Sequence, residues 1–403
     1  MSELKKISWG VRIFRFFASF QLAVVCLSLL FLLTFFGTIE QKWNGLYGTI
    51  QKYFDLDSFI VIPTLASGKV IPIILPGAYW VIVVLSINMF LGGLLKARKG
   101  WKKAGTLVSH FAILFMLIAG AVSSVSKQEG KMIVYQGKKS DYAQMYHDFD
   151  IEVFRYDENG DREAPAIIDS KFLSDLEPKH ELQAGFAKFD FGFEIDGFEK
   201  ISELALAGPD SKPQKGEEVL DGFFIAKAEK NVKEEGMNMP GCYVTVKGKD
   251  GKAIQRLILW GGNPFPVSFS YEGSRYGVCL LRKIWPMPFE VELHKTVGEY
   301  HPNTQIPRWF QSDITKVSDG EREDYMIVMN EPARHGGYTI FQADWSDNGD
   351  TPYSGFAIVK NPSDKWPEYA LYIATVGLLF HFLMMLWRFA GGSSRKKTTP
   401  KTP

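Results

Sequence analysis

The sequence predicts an integral membrane protein with four transmembrane helices, three N-terminal and one C-terminal, and a large extracytoplasmic antiparallel β-rich domain that is sandwich-like. Two observations predict this fold class. Residues 16–38, 76–95, 106–125 and 369–387 contain no Lys, Arg, Asp or Glu, and at about 1.5 Å per residue each run can cross roughly 30 Å of hydrocarbon. The long polar segment before the last run contains short β-prone stretches separated by turn signals.

These runs divide the chain into four parts. Residues 1–125 form an N-terminal membrane region, 126–367 the β-rich domain, 368–388 the C-terminal transmembrane helix and 389–403 a basic tail. A formal net charge of +1 argues against a nucleic-acid binder, which usually carries a basic excess. The three cysteines exclude a disulfide-rich secreted scaffold.

The first apolar run follows basic residues, as the core of a signal peptide does. It is longer than the roughly 7–15 residues of such a core, and no small-residue cleavage pattern follows residues 35–38. We therefore expect a retained membrane span.

Short basic segments predict the orientation in the membrane. Residues 1–15 contain four Lys or Arg, residues 96–105 contain five and residues 388–403 contain five, whereas residues 39–75 contain only three. Basic residues accumulate in cytoplasmic segments. Both termini and residues 96–105 are therefore expected in the cytoplasm, and 39–75 and 126–367 outside it.

Local patterns predict elements outside the spans. Apolar spacing predicts a short interfacial helix carried by Leu46, Ile50, Tyr53, Phe54 and Asp57. Alternation predicts a strand that places Phe289, Val291, Leu293 and Lys295 on one face. Asn159-Gly160 and Asp250-Gly251 indicate hairpin turns, and the charged residues 227–236 indicate a helix or a solvated loop.

Two spans contain one histidine each, His110 and His381. Imidazole in hydrocarbon is costly unless it faces a partner or a cavity. His110 follows Lys103 by seven residues and His381 precedes Arg388 by seven, so both lie roughly 10 Å inside the same membrane face. Gly377, one turn from His381, is expected to leave room for a flat ligand.

Three interpretations of this histidine pair stay open. Each imidazole hydrogen-bonds a neighbouring helix, or the two imidazoles hold haem iron from both axial sides, or they belong to a proton or metal path. A metal other than haem iron is disfavoured because no Cys, Asp or Glu lies near either histidine in the sequence.

Missing motifs exclude several activities. The chain has no Cys-x-x-Cys-His and no Cys-x-x-Cys, so it is neither a c-type cytochrome nor a thioredoxin-like reductase. It also lacks a P-loop sequence. Cys242 and Cys279 are either a disulfide or two buried free thiols, and Cys26 is expected to pack as a small apolar residue.

An ordered set of short motifs resembles the ResB/CcsB family, membrane subunits of system II cytochrome c maturation. The set comprises residues 18–23 (ASFQLA), 37–41 (GTIEQ), 75–80 (LPGAYW), 105–111 (GTLVSHF), 130–132 (GKM), 330–332 (NEP), 337–342 (GYTIFQ) and 361–362 (NP). The arrangement of three spans, a large outer domain and a last span is also that of the family. The resemblance covers nearly the whole chain and is loosest between about residues 155 and 320.

The resemblance implies a function. Family members work with a CcsA/ResC-type membrane protein, which carries a Trp-rich haem-handling motif that this chain lacks. Together they move haem b outward across the bacterial inner membrane and support its attachment to reduced apocytochrome c, with thiol-reducing partners a further expectation. His110 falls where the family has an intramembrane histidine linked to haem binding, and His381 falls where the family often has a histidine in its last span. The resemblance therefore implies that this pair binds haem iron, or that a histidine of the partner shares the haem with His110.

Two other classes compete with this function. A b-type cytochrome would carry electrons across the membrane, but two histidines ligate at most one haem and the sequence shows no second relay. A membrane-anchored scaffold would use only its β-rich domain, to bind a partner. The b-type cytochrome would be an electron-transfer enzyme, whereas the assembly factor is expected to have no independent catalytic activity.

Overall fold

The computed structural model describes residues 8–174, 176, 180–209, 211–213, 217–229, 235–304, 306–347 and 351–393. The chain divides into two compact units, one formed by Met1–Lys127 with Asn361–Pro403 and the other by Gln128–Lys360. Most of the predicted basic tail, and residues 230–234 of the predicted charged helix or loop, lie outside the described residues.

The first unit is helical. Its elements are α1 (Trp9–Phe17), α2 (Phe20–Asn44), α3 (Leu46–Phe54), β1 (Ile60–Val61), β2 (Leu75–Pro76), α4 (Ala78–Asn88) continued by a π-helix (Met89–Leu95), a 3-10 turn (Trp101–Lys103), α5 (Ala104–Ser126) and a C-terminal helix (Trp366–Ser393) that we call α6. Within the described residues, four stretches are long and apolar enough to cross a membrane: Phe20–Asn44, Ala78–Leu95, Trp101–Ser126 and Trp366–Ala390. The predicted three-plus-one arrangement of spans is therefore confirmed.

The first span begins later than residue 16, because the chain leaves the helical conformation between α1 and α2. Ser19 is extended (φ −91°, ψ 145°), and its hydroxyl accepts a hydrogen bond from the Leu22 amide at 3.2 Å as an N-cap. The Asn88 side chain of α4 donates to the carbonyls of Phe17 (2.6 Å) and Ser19 (2.8 Å). These two hydrogen bonds tie the non-helical junction between α1 and α2 to the second span.

The segment between α2 and α4 is fixed by a buried carboxylate. Glu40 is 2% exposed and accepts hydrogen bonds from Lys52 (2.6 Å), Tyr53 (2.7 Å) and both the amide and the hydroxyl of Thr64 (3.1 and 2.8 Å). A buried charge is tolerated only with such partners. The predicted short helix is present as α3, and this network ties it to the end of α2.

Two glycines set the crossing of α5 and α6. A side-chain carbon added at Gly105 would lie 2.6 Å from the Gly377 carbonyl oxygen, and one added at Gly377 would lie 2.8 Å from the Ser109 hydroxyl. Small residues allow the backbones of membrane helices to approach closely. The last span is therefore held directly against the third.

The second unit is antiparallel β structure. Its strands are β3 (Gln128–Tyr135), β4 (Lys139–Arg155), β5 (Ala166–Ile168), β6 (Leu182–Gly185), β7 (Phe191–Leu206), β8 (Phe223–Lys227), β9 (Met239–Gly248), β10 (Ala253–Trp260), β11 (Val267–Tyr271), β12 (Ser274–Tyr300), β13 (Pro307–Ser318), β14 (Glu321–Val328), β15 (Ala333–His335), β16 (Tyr338–Ser346) and β17 (Tyr353–Lys360). A short helix, Ser170–Ser174, follows β5. The large antiparallel β-rich domain that the sequence predicts is confirmed.

Two sheets share one core. The five-stranded sheet has the order β10-β9-β7-β6, with β8 beside β7, and the ten-stranded sheet has the order β14-β13-β12-β4-β3-β17-β16-β15, with β11 and β5 beside β12 and β4. Buried Phe193 and Val244 of the smaller sheet pack with Ile151 and Leu280 of the larger one. This contact is the sandwich-like layer.

The other half of the large sheet encloses a second core. Met132, Leu293, Ile314, Ile340 and Phe356 come from different strands of the same sheet and pack together. The long strands β4 and β12 run through both cores and join them into one unit.

The predicted strand around residue 293 is present, but Lys295 does not share its buried face. The pairing of β12 with β13 shifts register between Leu293 and Lys295. A β-bulge of this kind inserts one residue and inverts the alternation beyond it. Phe289, Val291 and Leu293 are therefore buried as predicted, whereas Lys295 is exposed and Thr296 is buried.

Both predicted turns are present. Gly251 has φ 74° in the turn that joins β9 to β10, and Gly160 has φ 84° in the turn that closes the Tyr156–Arg162 bridge. Positive φ is the conformation that glycine supplies without steric cost.

Candidate functional site

His110 of α5 is oriented by the backbone of the second span. Its Nδ1 lies 3.1 Å from the Gly93 carbonyl oxygen. Gly93 belongs to the π-helix that continues α4, and a side-chain carbon there would lie 3.1 Å from the same imidazole nitrogen. A π-helix departs from the regular bonding pattern and is often found at functional sites. A side-chain carbon at this position would push the imidazole away by a few tenths of an ångström.

This contact selects one tautomer of His110. A carbonyl oxygen accepts hydrogen bonds and cannot donate them, so the Nδ1 of neutral His110 carries the proton. Nε2 then has a free lone pair. Protein ligands to metals use this arrangement, in which a backbone or carboxylate oxygen holds the far nitrogen.

His381 of α6 is oriented by a hydroxyl of α5. Its Nδ1 lies 3.2 Å from Thr106 Oγ1. A hydroxyl both donates and accepts, so this contact fixes the ring position without fixing the tautomer. Both imidazoles are half-buried.

The contacts of both histidines involve one stretch of α5. Thr106 precedes His110 by four residues, and side chains four apart lie on the same helix face with Cβ atoms about 5–6 Å apart. The residue that holds His381 is therefore the neighbour of His110 along the helix. The sequence predicted a common depth for these histidines, and the contacts bring them to adjacent turns of one helix pair.

Gly377 does not provide the predicted room for a flat ligand. The space beside it is taken by Gly105 and Ser109 of α5. Gly377 serves the helix crossing, and the imidazole of His381 lies beyond that contact, next to Thr106.

Neither Gly93 nor Thr106 was identified from the sequence. Glycine is common in apolar spans, and threonine carries no ligand signal by itself. The spacing of Thr106 and His110 was visible, but which helix faces which was not.

The histidines of the β-rich unit have other partners. His294 Nε2 lies 2.6 Å from Thr315 Oγ1, and His335 Nδ1 lies 2.9 Å from Lys316 Nζ. His301 is exposed. Among the described residues, no group of three or more His, Cys, Asp or Glu could hold a metal ion. The membrane pair is the better candidate.

The cysteines of the β-rich unit are free and buried. Cys242 faces the core between the two sheets. Val278 and Leu280 also face that core, so alternation along β12 points Cys279 to the opposite side of its sheet. The free-thiol interpretation fits this geometry. Cys26 is also buried, among apolar residues of α2 and α4, as expected of a packing residue.

The donor set suits haem iron by its chemistry. Neutral imidazole is a common axial ligand of haem, and each Nδ1 is engaged by a protein group while Nε2 takes no part in those contacts.

Fold and site together define a multi-pass membrane protein with an intramembrane imidazole pair and a large β-rich unit. The model of the ResB-like family matches residues 86–159 and 255–365 of this chain, which confirms the resemblance to the ResB/CcsB family. His110 lies within the first matched segment and His381 lies beyond the second. A search of the curated proteins found no match to the chain.

Proposed function

We propose that this chain is the membrane subunit of a system II cytochrome c maturation complex and that it helps carry haem across the membrane. The family match supports a membrane protein of cytochrome c biogenesis. The finer assignment depends on one observation: His110 is oriented by Gly93 of the second span, and His381 is oriented by Thr106, one turn before His110 on α5.

Each residue of the site has a part in this proposal. Gly93 holds the proton at Nδ1 of His110, which keeps Nε2 available, and Thr106 holds the ring of His381 against α5. Haem supplies an iron ion whose axial positions accept neutral imidazole nitrogen. His110 and His381 would both bind it, or a partner histidine would replace one of them.

The chain is expected to act with a partner. It has no Cys-x-x-Cys and no Trp-rich haem-handling motif, so we assign haem attachment to a complex with a CcsA/ResC-type protein that receives apocytochrome c. Large apolar side chains cover the free faces of the spans, among them Phe31 of α2 and Leu383 of α6. These faces are available to lipid or to the spans of such a partner.

The proposal also assigns a location. The chain would lie in the bacterial inner membrane, with both termini in the cytoplasm and residues 126–367 outside, because the basic residues cluster on the short segments.

Expression with and without the partner tests this function. The chain is purified alone and with a CcsA/ResC-type protein, and the haem absorption spectrum is recorded with the yield of mature cytochrome c. We expect haem in the complex and maturation only when both proteins are present. The exposed His301→Ala variant is the matched control and should behave as the unaltered chain.

Three results would argue against this function. Full maturation by this chain in a host without the partner would exclude the subunit role. A stable partner complex without haem would favour the scaffold. Reduction of bound haem by quinol, with reoxidation by an added electron acceptor, would favour the b-type cytochrome.

A further inference from the structure

The short helix α1 presents an apolar face that no described residue of its own unit, residues 8–127 and 361–393, covers. Trp9, Ile13 and Phe16 are 78%, 54% and 60% exposed, and no residue of α1 is buried. Their spacing of four and three residues places them on one side of the helix. Three large exposed side chains in nine residues are more than isolated surface apolar residues.

The basic side chains of α1 border this face on one side. At 100° per residue Arg15 lies about 120° from Trp9 and about 160° from Ile13. Arg12 lies at the edge of the face, with its guanidinium over the Trp9 ring at 5.9 Å from the ring centroid. A helix with an apolar face bordered by basic residues is typical of segments that lie in the membrane interface.

The connection to α2 fixes where α1 ends. Only Ala18 and Ser19 separate α1 from the first span, so the C-terminal end of α1 lies at the membrane edge. The extended Ser19 turns the chain, and Asn88 holds the turn through the carbonyls of Phe17 and Ser19. α1 is thus a separate helix at the start of the span and not its continuation.

We propose that α1 is a lipid-binding helix. It inserts Trp9, Ile13 and Phe16 into the leaflet where the first span begins and places Arg12 and Arg15 among anionic phosphate headgroups. The occupant of this face is the bilayer, because the helix joins a span directly and its charge is complementary to anionic lipid. This inference does not depend on haem binding.

The position of α1 gives the lipid contact a structural consequence. The carbonyl of Ala18, at its C-terminal end, accepts a hydrogen bond from Lys96 at 3.2 Å, and a side-chain carbon at Gly92 would lie 3.2 Å from the same oxygen. Gly92 precedes Gly93, which orients His110. The end of α1 therefore packs on the π-helix that carries the orienting carbonyl.

Site-directed spin labelling tests the proposal on the full chain. Single cysteines replace Ile13, Phe16, Arg12 and Arg15 in a background without Cys26, Cys242 and Cys279, and the labelled protein is placed in phosphatidylcholine vesicles with or without phosphatidylglycerol. Power saturation then compares accessibility to oxygen, which partitions into lipid, and to a water-soluble nickel chelate. Phe31→Cys on a span and Lys252→Cys in a solvated turn are the reference sites.

We expect the ratio of oxygen to nickel accessibility to be several-fold higher at positions 13 and 16 than at position 15, with position 12 intermediate, and to approach that of position 31 at positions 13 and 16. The Arg12→Gln, Arg15→Gln double variant should lose any gain in depth that phosphatidylglycerol produces. Free access of the nickel chelate to positions 13 and 16 would overturn the proposal. Low accessibility of these positions to both reagents would also overturn it, because a protein surface would then cover the face.

Discussion

Thr106 Oγ1 of α5 lies 3.2 Å from Nδ1 of His381 on α6, and His110 follows Thr106 by one helical turn. A single hydroxyl thus links His381 to the turn of α5 that precedes His110. If this contact orients His381, removal of the Thr106 hydroxyl should lower haem affinity more than a change in the size of the side chain does.

We predict that Thr106→Val lowers haem affinity about tenfold, as loss of an orienting partner typically does, while Thr106→Ser retains it. Haem titration and the absorption spectrum of the purified complex measure this. Unchanged haem affinity in Thr106→Val, together with haem loss in His381→Ala, would show that His381 binds haem without help from Thr106. Unaltered haem in both variants would instead count against the site itself.

The crossing of α5 and α6 gives a second prediction. Gly105→Ala places a carbon 2.6 Å from the Gly377 carbonyl oxygen, so the backbones must separate and the free energy of unfolding should fall by about 1–3 kcal/mol. Denaturation in detergent measures the change. Gly120→Ala, on the same helix, is the control because nothing lies within 4 Å of its added carbon. Equal stability of the two variants would contradict the close crossing.

The thiols of the β-rich unit should be unreactive in the native state. Burial raises the pKa of Cys242 to about 12 and that of Cys279 to about 11. Because the thiolate is the reactive form, alkylation at pH 8 should be much slower than for a free cysteine of pKa near 8.5. The rate for Cys279 should keep rising as the pH approaches 11.

Mass spectrometry after iodoacetamide treatment checks this thiol prediction. Both cysteines should be alkylated in denaturant without prior reduction. A requirement for a reducing agent would reveal a disulfide, and rapid native labelling would contradict the burial.

The orientation of the spans is testable by reporter fusions at about residues 100, 250 and 400. The fourteen basic residues of the three short segments predict cytoplasmic reporter activity at 100 and 400 and extracytoplasmic activity at 250. An extracytoplasmic reporter active at residue 100 would overturn the orientation.

The number and order of the spans could be predicted because a run of roughly 20 uncharged, mostly apolar residues is long enough to cross a membrane. The break in the helix at Ala18 and Ser19 could not be predicted, because those residues lie in a continuous apolar run. The side chain that stabilises the break belongs to Asn88, about 70 residues away in the sequence. The bulge after Leu293 depends on pairing with β13, so alternation alone placed Lys295 on the wrong face.

The candidate site could be predicted only in part. His110 and His381 stand out because imidazole is rare in hydrocarbon. The contacts that orient them come from Gly93 and Thr106, which carry no chemical signal of their own and act only through helix packing. Gly377 illustrates the same limit, since a glycine beside a histidine fits a ligand cavity or a close helix contact equally well until the facing helix is known.

Haem content per purified complex tests whether His110 and His381 hold haem. His110→Ala, His381→Ala and the double variant are compared with His301→Ala, with and without added imidazole. We predict loss of haem in each single variant, larger for His110→Ala, and partial recovery when imidazole fills the open ligand position. Unchanged haem per folded complex in both single variants and in the double variant would contradict it.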